Sequence, residues 1–288
     1  MKQFFRITAA VLAAAFLLAL TGCAKKEHSE GKPKADLLAT TQPVYQLTCA
    51  LTDGTGLSVG LLISESVSCL HDYTLTVSQM EMIEQSGLVL ESGLGLEDFM
   101  EDVLRGKTRI DISRNLDTLP GEDGADPHWW LDPMRYKQAA ELAAQELGAQ
   151  YPEFADQISE NLAAFCEKLS SLQDYGEQAL SDLSCRQLVT FHDGFSYFAD
   201  AFSLTIAAAM EVESGSEPSA KELEEIISIV EENQIPAVFT EVNGETGAAE
   251  VVAGEAGCAV RTLDMAISNR DYFAAMRQNI DIVKEALG

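Results

Sequence analysis

The sequence contains few basic residues. Lysine and arginine together number 19 of its 288 residues, against 46 aspartates and glutamates, so the formal net charge at pH 7 is −27. A protein that binds nucleic acid needs clusters of Lys and Arg to neutralise phosphates, and a chain this acidic is repelled by them. The composition therefore argues against nucleic acid as a partner and favours cations.

Long hydrophobic runs are also scarce. The first, Ile7–Leu20, has about 14 residues, which are too few to cross a bilayer comfortably. Lys2 and Arg6 precede this run, and Leu20-Thr21-Gly22-Cys23 closes it, an order typical of a bacterial lipoprotein signal peptide. We therefore predict a signal peptide over residues 1–22, with Cys23 as the lipidated first residue of the mature chain.

Cysteine is the third scarce residue type, with six in the chain. If Cys23 carries lipid, an odd number of thiols remains, so at most two disulfides can form. An exported compartment permits disulfides. We predict a possible disulfide between Cys49 and Cys69, because both lie in the first third of the chain and Cys69 falls in a loop that needs fixing. The alternative is that both thiols are free.

The remaining composition is that of an ordinary globular protein, with 47% hydrophobic and 23% charged residues and a length sufficient for two domains. After a polar tether over residues 23–35, short apolar runs rich in β-formers alternate with amphipathic helical stretches. Two capping boxes, Thr76 with Gln79 and Ser219 with Glu222, predict helix starts. Strict alternation of strand and helix predicts an α/β fold with two parallel-sheet lobes. The predicted strands are Leu37–Thr40, Leu57–Ile63, Leu88–Leu90, Arg109–Ile112, Leu188–Phe191, Leu204–Ala208, Ala237–Thr240 and Ala259–Leu263.

One long helical segment separates the two series of strands. It is entered through Pro152, a first-turn proline, and its apolar residues recur at spacings of three and four from Phe154 onward. We predict a rigid connecting helix over residues 152–183, between an N-terminal lobe at 36–151 and a C-terminal lobe at 184–288. An ordinary long helix inside a single domain is the alternative.

Three histidines and one aspartate follow predicted strands. His71, His128, His192 and Asp264 each lie in a loop at the carboxyl end of a strand. In open α/β sheets these ends face the ligand crevice, so two groups from each lobe would meet between the lobes. Neutral imidazoles with one carboxylate suit a tetrahedral Zn²⁺.

Six short motifs occur in order along the chain. Together, behind the lipoprotein signal, they resemble the zinc and manganese solute-binding lipoproteins of bacterial ABC importers, the zinc-uptake and metal-adhesin family. The motifs are His71-Asp72-Tyr73, Asp126-Pro127-His128-Trp129-Trp130-Leu131-Asp132-Pro133, Phe191-His192-Asp193-Gly194-Phe195, Glu217-Pro218-Ser219-Ala220-Lys221, Phe239-Thr240-Glu241 and Thr262-Leu263-Asp264.

The resemblance implies two α/β lobes joined by a rigid helix, with a metal held in the cleft between them. It also implies that the metal passes to a membrane permease driven by a cytoplasmic ATPase, and we expect the protein to be lipid-anchored on the outer side of the membrane. The family's metal ligands would fall on His71, His128, His192 and Asp264. The implied activity is capture and release of a metal, without catalysis.

The identity of the metal follows from the ligands. Three nitrogens and one carboxylate favour Zn²⁺ over Mn²⁺, which prefers oxygen. Manganese binding stays an alternative, as does a metal-dependent adhesin. A remote alternative is a zinc hydrolase, with Glu241 or Asp193 as its general base. Glu241 also ends a strand, and it is the rival of Asp264 for the fourth ligand position.

Overall fold

The structure is a computed structural model, and it describes residues 35–64, 73–121, 124–210, 218–242 and 244–288. Residues Lys34–Gly288 form one compact unit. The strands are β1 Ala35–Ala39, β2 Val59–Leu61, β3 Ser86–Glu91, β4 Arg109–Asp111, β5 Pro120–Gly121, β6 Gly124–Ala125, β7 Gln187–Thr190, β8 Thr205–Ala209, β9 Ala237–Glu241 and β10 Ala259–Leu263. The helices are α1 Gln42–Leu51, α2 Val77–Gln85, α3 Glu101–Leu104, α4 Pro133–Gln150, α5 Ala155–Ala179, α6 Ser196–Ala201, α7 Ala220–Asn233, α8 Gly247–Ala256 and α9 Tyr272–Leu287.

Eight of these strands form two four-stranded parallel sheets. The first sheet has the order β2-β1-β3-β4 and the second the order β10-β9-β7-β8. The short strands β5 and β6 form a separate antiparallel hairpin. The predicted α/β fold with two parallel sheets is confirmed, and each predicted strand overlaps an observed one. The hairpin was not predicted from the sequence, because its strands have two residues each and show no alternation.

Side-chain caps determine where several helices begin. Both predicted capping boxes are present, at Thr76 before α2 and at Ser219 before α7. Asp132 caps the start of helix α4, and its carboxylate accepts hydrogen bonds from the backbone N–H groups of Met134 and Arg135. These bonds satisfy donors that the first helical turn leaves without an internal partner.

The long helix α5 is shorter than the sequence predicts. A 3₁₀ turn over Pro152–Phe154 precedes it, and it ends at Ala179, before the predicted boundary at residue 183. Arg186 donates a hydrogen bond to the carbonyl oxygen of Leu180 (2.8 Å), which satisfies a carbonyl that the end of the helix leaves without an internal partner. The 25 residues of α5 span about 37 Å. Helix α5 packs along α4 and also contacts α1 and α9.

One hydrophobic core extends through both sheets. It includes Leu37 and Leu90 from the first sheet and Leu188 and Phe239 from the second, and all four are fully buried. Buried side chains of α4, α5 and α9 belong to the same core. Among the described residues, no helix combines the length and the hydrophobicity needed to cross a membrane.

The buried carboxyl group of Glu97 joins the ends of two strands in the first sheet. Oε1 of Glu97 accepts hydrogen bonds from Oγ1 of Thr40 (2.7 Å), after β1, and from the backbone N–H of Ser92 (2.8 Å), after β3. Its Oε2 accepts a third from the N–H of Gly93 (3.0 Å). Burial, the largest influence, raises the pKa of Glu97 to about 7, against an ordinary value of 4.5. Glu97 therefore holds a proton in the folded state at pH values where the unfolded chain has lost it.

The raised pKa of Glu97 predicts a pH-dependent stability. The contribution of the proton is complete below the unfolded pKa of 4.5 and is lost as pH rises through the folded pKa of about 7. In the wild type we expect the free energy of unfolding to fall by on the order of 3 kcal/mol between these limits, and in Glu97→Gln we expect this fall to be absent. Urea unfolding of the metal-free proteins between pH 4.5 and 8 measures this difference. Glu232→Gln, on the exposed surface of α7, is the matched control; equal pH dependence in wild type and Glu97→Gln would contradict the prediction.

Candidate metal centre

Two of the predicted ligands, His128 and His192, face each other across the loops that follow β6 and β7. His192 follows β7 after one residue and is 7% exposed, and His128 follows the β5–β6 hairpin. Their Nε2 atoms are 3.5 Å apart, and their rings lie nearly perpendicular, at 85°. Two nitrogens bound to one tetrahedral Zn²⁺ at 2.0–2.1 Å are separated by about 3.3–3.4 Å. The two imidazoles are therefore spaced as two ligands of a single zinc ion.

The orientation of His128 is fixed by Asp126. The imidazole Nδ1 donates to Oδ1 of Asp126 at 2.8 Å, and the backbone N–H of His128 donates to the same oxygen at 2.9 Å. Asp126 is 3% exposed. A carboxylate accepts hydrogen bonds, so this contact assigns the proton to Nδ1 and leaves the lone pair on Nε2. An aspartate behind a histidine in this way is the usual support of a zinc ligand.

His192 is held in its neutral form. Burial, and secondarily the neighbouring His128, lower the pKa of His192 to about 3, while Asp126 acts in the opposite direction. The imidazole is therefore neutral at pH 7, as metal coordination requires.

Asp264 follows β10 directly, as predicted, and is 4% exposed. Its Oδ1 accepts a hydrogen bond from the N–H of Ala266 (2.8 Å). Its Oδ2 accepts one from Ser268 (3.3 Å) and lies 3.9 Å from Nη1 of Arg270. Both oxygens thus contribute to the turn after β10. Glu241, the predicted rival, ends β9 and pairs with Leu263, so the two carboxylates follow neighbouring strands.

The structure brings together two of the four predicted ligands. Among the described residues, no group of three His, Cys, Asp or Glu side chains is placed to hold a metal ion. His71 lies outside the described residues, and so do Cys23 and Cys69. Cys49 forms no disulfide with another described cysteine. Because Cys69 lies outside the described residues, the Cys49–Cys69 disulfide stays a prediction.

Two buried tryptophans support the His128 loop from different sides. Trp129 is 0% exposed, and its indole N–H donates to the carbonyl oxygen of Ser92 (3.0 Å). Trp130 packs edge to face against His128, with ring centroids 5.4 Å apart, and its indole N–H donates to the carbonyl oxygen of Met265 (2.8 Å). The Trp130 bond connects the His128 loop to the loop that follows β10.

Sequence reasoning assigned no role to two residues of this centre, Asp126 and Tyr197. Asp126 stands two positions before His128 within a motif that the sequence displays, so its spacing offered a signal. Tyr197 contacts the backbone of Asp126 across 71 positions of sequence. No local pattern could reveal that contact.

Residues 37–286 match the family described as ZnuA, zinc-uptake complex component A, periplasmic. The zinc-binding lipoprotein AdcA of Streptococcus pneumoniae R6 is 27% identical over an alignment of 304 positions, gaps included, that covers 96% of this chain and 60% of AdcA. This chain thus spans about three fifths of the length of the curated relatives it matches.

Two solved structures share the fold at similar identity. A crystal structure of ZnuA has a TM-score of 0.80 and 29% identity, and the alignment covers 88% of this chain and 98% of that one. The Zn(II)-bound ZnuA-like domain of S. pneumoniae AdcA has a TM-score of 0.76 and 26% identity, covering 88% and 99%. On the match of its residues 37–286, the chain belongs to the zinc-uptake component family, and the resemblance drawn from its motifs is confirmed.

Proposed function

We propose that this protein captures Zn²⁺ outside the cytoplasm and delivers it to an ABC importer. The observation that carries the proposal is the 3.5 Å separation between Nε2 of His128 and Nε2 of His192. An ordinary N–H···N hydrogen bond is shorter than this, whereas two nitrogens of one tetrahedral zinc site are separated by about 3.3–3.4 Å. His71 and Asp264 complete the proposed ligand set, with Glu241 as the alternative to Asp264.

The ligand chemistry supports zinc over manganese. Imidazole nitrogen suits Zn²⁺, while Mn²⁺ prefers carboxylate, carbonyl and water oxygens. Burial keeps His192 neutral, and the Asp126 carboxylate makes the His128 imidazole more basic, so that it is a stronger metal ligand. Both effects strengthen nitrogen ligands and give no advantage to a metal that prefers oxygen.

The proposed activity is binding and delivery, without catalysis. The family description as a periplasmic component of a zinc-uptake complex supports a transporter partner and an extracytoplasmic location. In our proposal the partner consists of a permease and an ATPase. A lipid on Cys23 anchors the protein to the membrane, as the lipoprotein name of AdcA supports.

Metal analysis tests this function. We expect the full-length protein, purified without chelator, to contain one Zn²⁺ per chain by mass spectrometry. We also expect the metal-free protein to bind Zn²⁺ at least about 10-fold more tightly than Mn²⁺ in a competition titration, as nitrogen ligands require. Tighter binding of Mn²⁺ would establish the manganese alternative. The absence of binding by either metal would overturn the proposed function.

A further inference from the structure

We infer that Tyr197 is a positioning residue for the metal centre, and that its hydroxyl sets the separation of His128 and His192. This inference rests on the proposed function. Tyr197 is 0% exposed. Its hydroxyl donates a hydrogen bond to the carbonyl oxygen of Asp126 (2.9 Å) and accepts one from the N–H of Leu119 (3.0 Å).

The two partners of the hydroxyl lie at the base of the β5–β6 hairpin. Leu119 precedes the hairpin and Asp126 follows it, and the N–H of Asp126 donates to the carbonyl oxygen of Leu119 (2.9 Å). The Tyr197 hydroxyl therefore closes this pair of backbone groups from the side. Since the Asp126 carboxylate holds His128 through two further hydrogen bonds, a displacement of the Asp126 backbone moves the imidazole with it.

On the other side, Tyr197 belongs to the structure that carries His192. It lies five residues further along the chain, in α6, and the neighbouring Phe195 and Phe198 are at most 1% exposed. These aromatic anchors fix α6 and the His192 loop to the core. One buried phenol thus connects the backbone that presents one histidine to the backbone that presents the other.

Arg135 keeps the tyrosine ring in place independently of the hydroxyl. Its guanidinium lies 5.0 Å from the centre of the Tyr197 ring. It donates hydrogen bonds to Asp132, to Asp200 in α6 and to the carbonyl oxygen of Asp117. A Tyr197→Phe chain therefore retains the ring, the cation–π contact and the position of α6, and loses the two hydrogen bonds to the hairpin base.

The expected effect is that of a group behind a zinc ligand. Removing such a group commonly lowers metal affinity by about 10–100-fold. Because the hydroxyl controls the relative placement of two ligands, its loss also changes the coordination geometry. A merely structural hydroxyl would lower the stability of the fold and leave the geometry of the bound metal unchanged.

The test compares Tyr197→Phe with Tyr136→Phe in the full-length protein. Tyr136 is a matched control, since it is also 0% exposed and its hydroxyl donates to the carbonyl oxygen of Pro43, in a helix that carries neither histidine. Zinc affinity is measured by chelator competition, and Co²⁺ absorption spectra report the coordination geometry. We expect Tyr197→Phe to lose about 10-fold in zinc affinity and to shift the Co²⁺ spectrum, while Tyr136→Phe retains the wild-type affinity and spectrum.

A double-variant cycle identifies the route of the effect. If Tyr197 acts through the Asp126 side chain, the variant with both Tyr197→Phe and Asp126→Ala, which lacks the acceptor for His128, binds zinc about as weakly as Asp126→Ala alone. Additive losses would overturn the inference, as would a wild-type affinity and Co²⁺ spectrum in Tyr197→Phe. Failure of the wild-type protein to bind zinc would instead refute the proposed function, so the two failures are distinguishable.

Discussion

Replacing His128 or His192 by alanine is expected to reduce zinc affinity by more than about 100-fold in each case. Loss of a group behind a ligand costs about 10–100-fold, and loss of a ligand costs more because a coordination position is left to water. The two Nε2 atoms are 3.5 Å apart and one ring is already neutral. Each variant therefore leaves only one imidazole of this pair to bind zinc. Chelator competition at pH 7.5 measures the affinities.

The control for these variants removes a residue that can bind zinc but is not part of the proposed site. Cys258→Ser removes a half-buried free thiol before β10, and we expect it to bind zinc as the wild type does. His71→Ala, Asp264→Ala and Glu241→Ala, measured in the same series, identify the other ligands. Wild-type affinity in both His128→Ala and His192→Ala would place the zinc site elsewhere in the chain.

Trp129→Ala is expected to lower the free energy of unfolding by about 3–5 kcal/mol, the usual loss for a buried tryptophan or phenylalanine. Trp129 is 0% exposed and packs against Trp130 and Tyr136, with ring centroids 5.8 and 5.7 Å away. The substitution leaves a large cavity and also leaves the carbonyl oxygen of Ser92 without its indole donor.

Urea unfolding of the metal-free protein measures this loss without a contribution from bound zinc. Trp129→Phe refills most of the cavity and lacks the indole N–H, so an intermediate loss is expected. Val77→Ala, at a side chain that is 68% exposed, is the surface control and should change the free energy of unfolding by less than about 0.5 kcal/mol. A loss below about 1 kcal/mol for Trp129→Ala would contradict the buried position of this ring.

The sequence predicted the parts of the fold that depend on local pattern. Ala237–Glu241, which is buried throughout, and Ala259–Leu263, which is mostly half-buried, are parallel strands. Capping boxes begin two helices because their hydrogen bonds connect residues three apart. His192 and Asp264 lie just after strands, as predicted, because the strands that precede them were recognised from their local pattern. Helix α5 ends at Ala179, earlier than predicted, and the Arg186 hydrogen bond at its end depends on tertiary structure.

The contacts that support the candidate metal centre could not be predicted in the same way. The contact of Trp130 with Met265 joins residues 135 positions apart, and the contact of Tyr197 with Asp126 joins residues 71 positions apart. Such pairs are determined by how the two sheets pack, which periodicity does not encode. The lobe boundaries at residues 151 and 184 likewise stay a prediction.

The single core that passes through both sheets has a consequence for folding cooperativity. Leu37 and Leu90 share that core with Leu188 and Phe239, so unfolding one sheet would expose apolar side chains that cover the other. The shared core therefore couples the stability of the two halves. A ligand that binds between them in the folded state only therefore adds its binding free energy to the stability of the whole molecule.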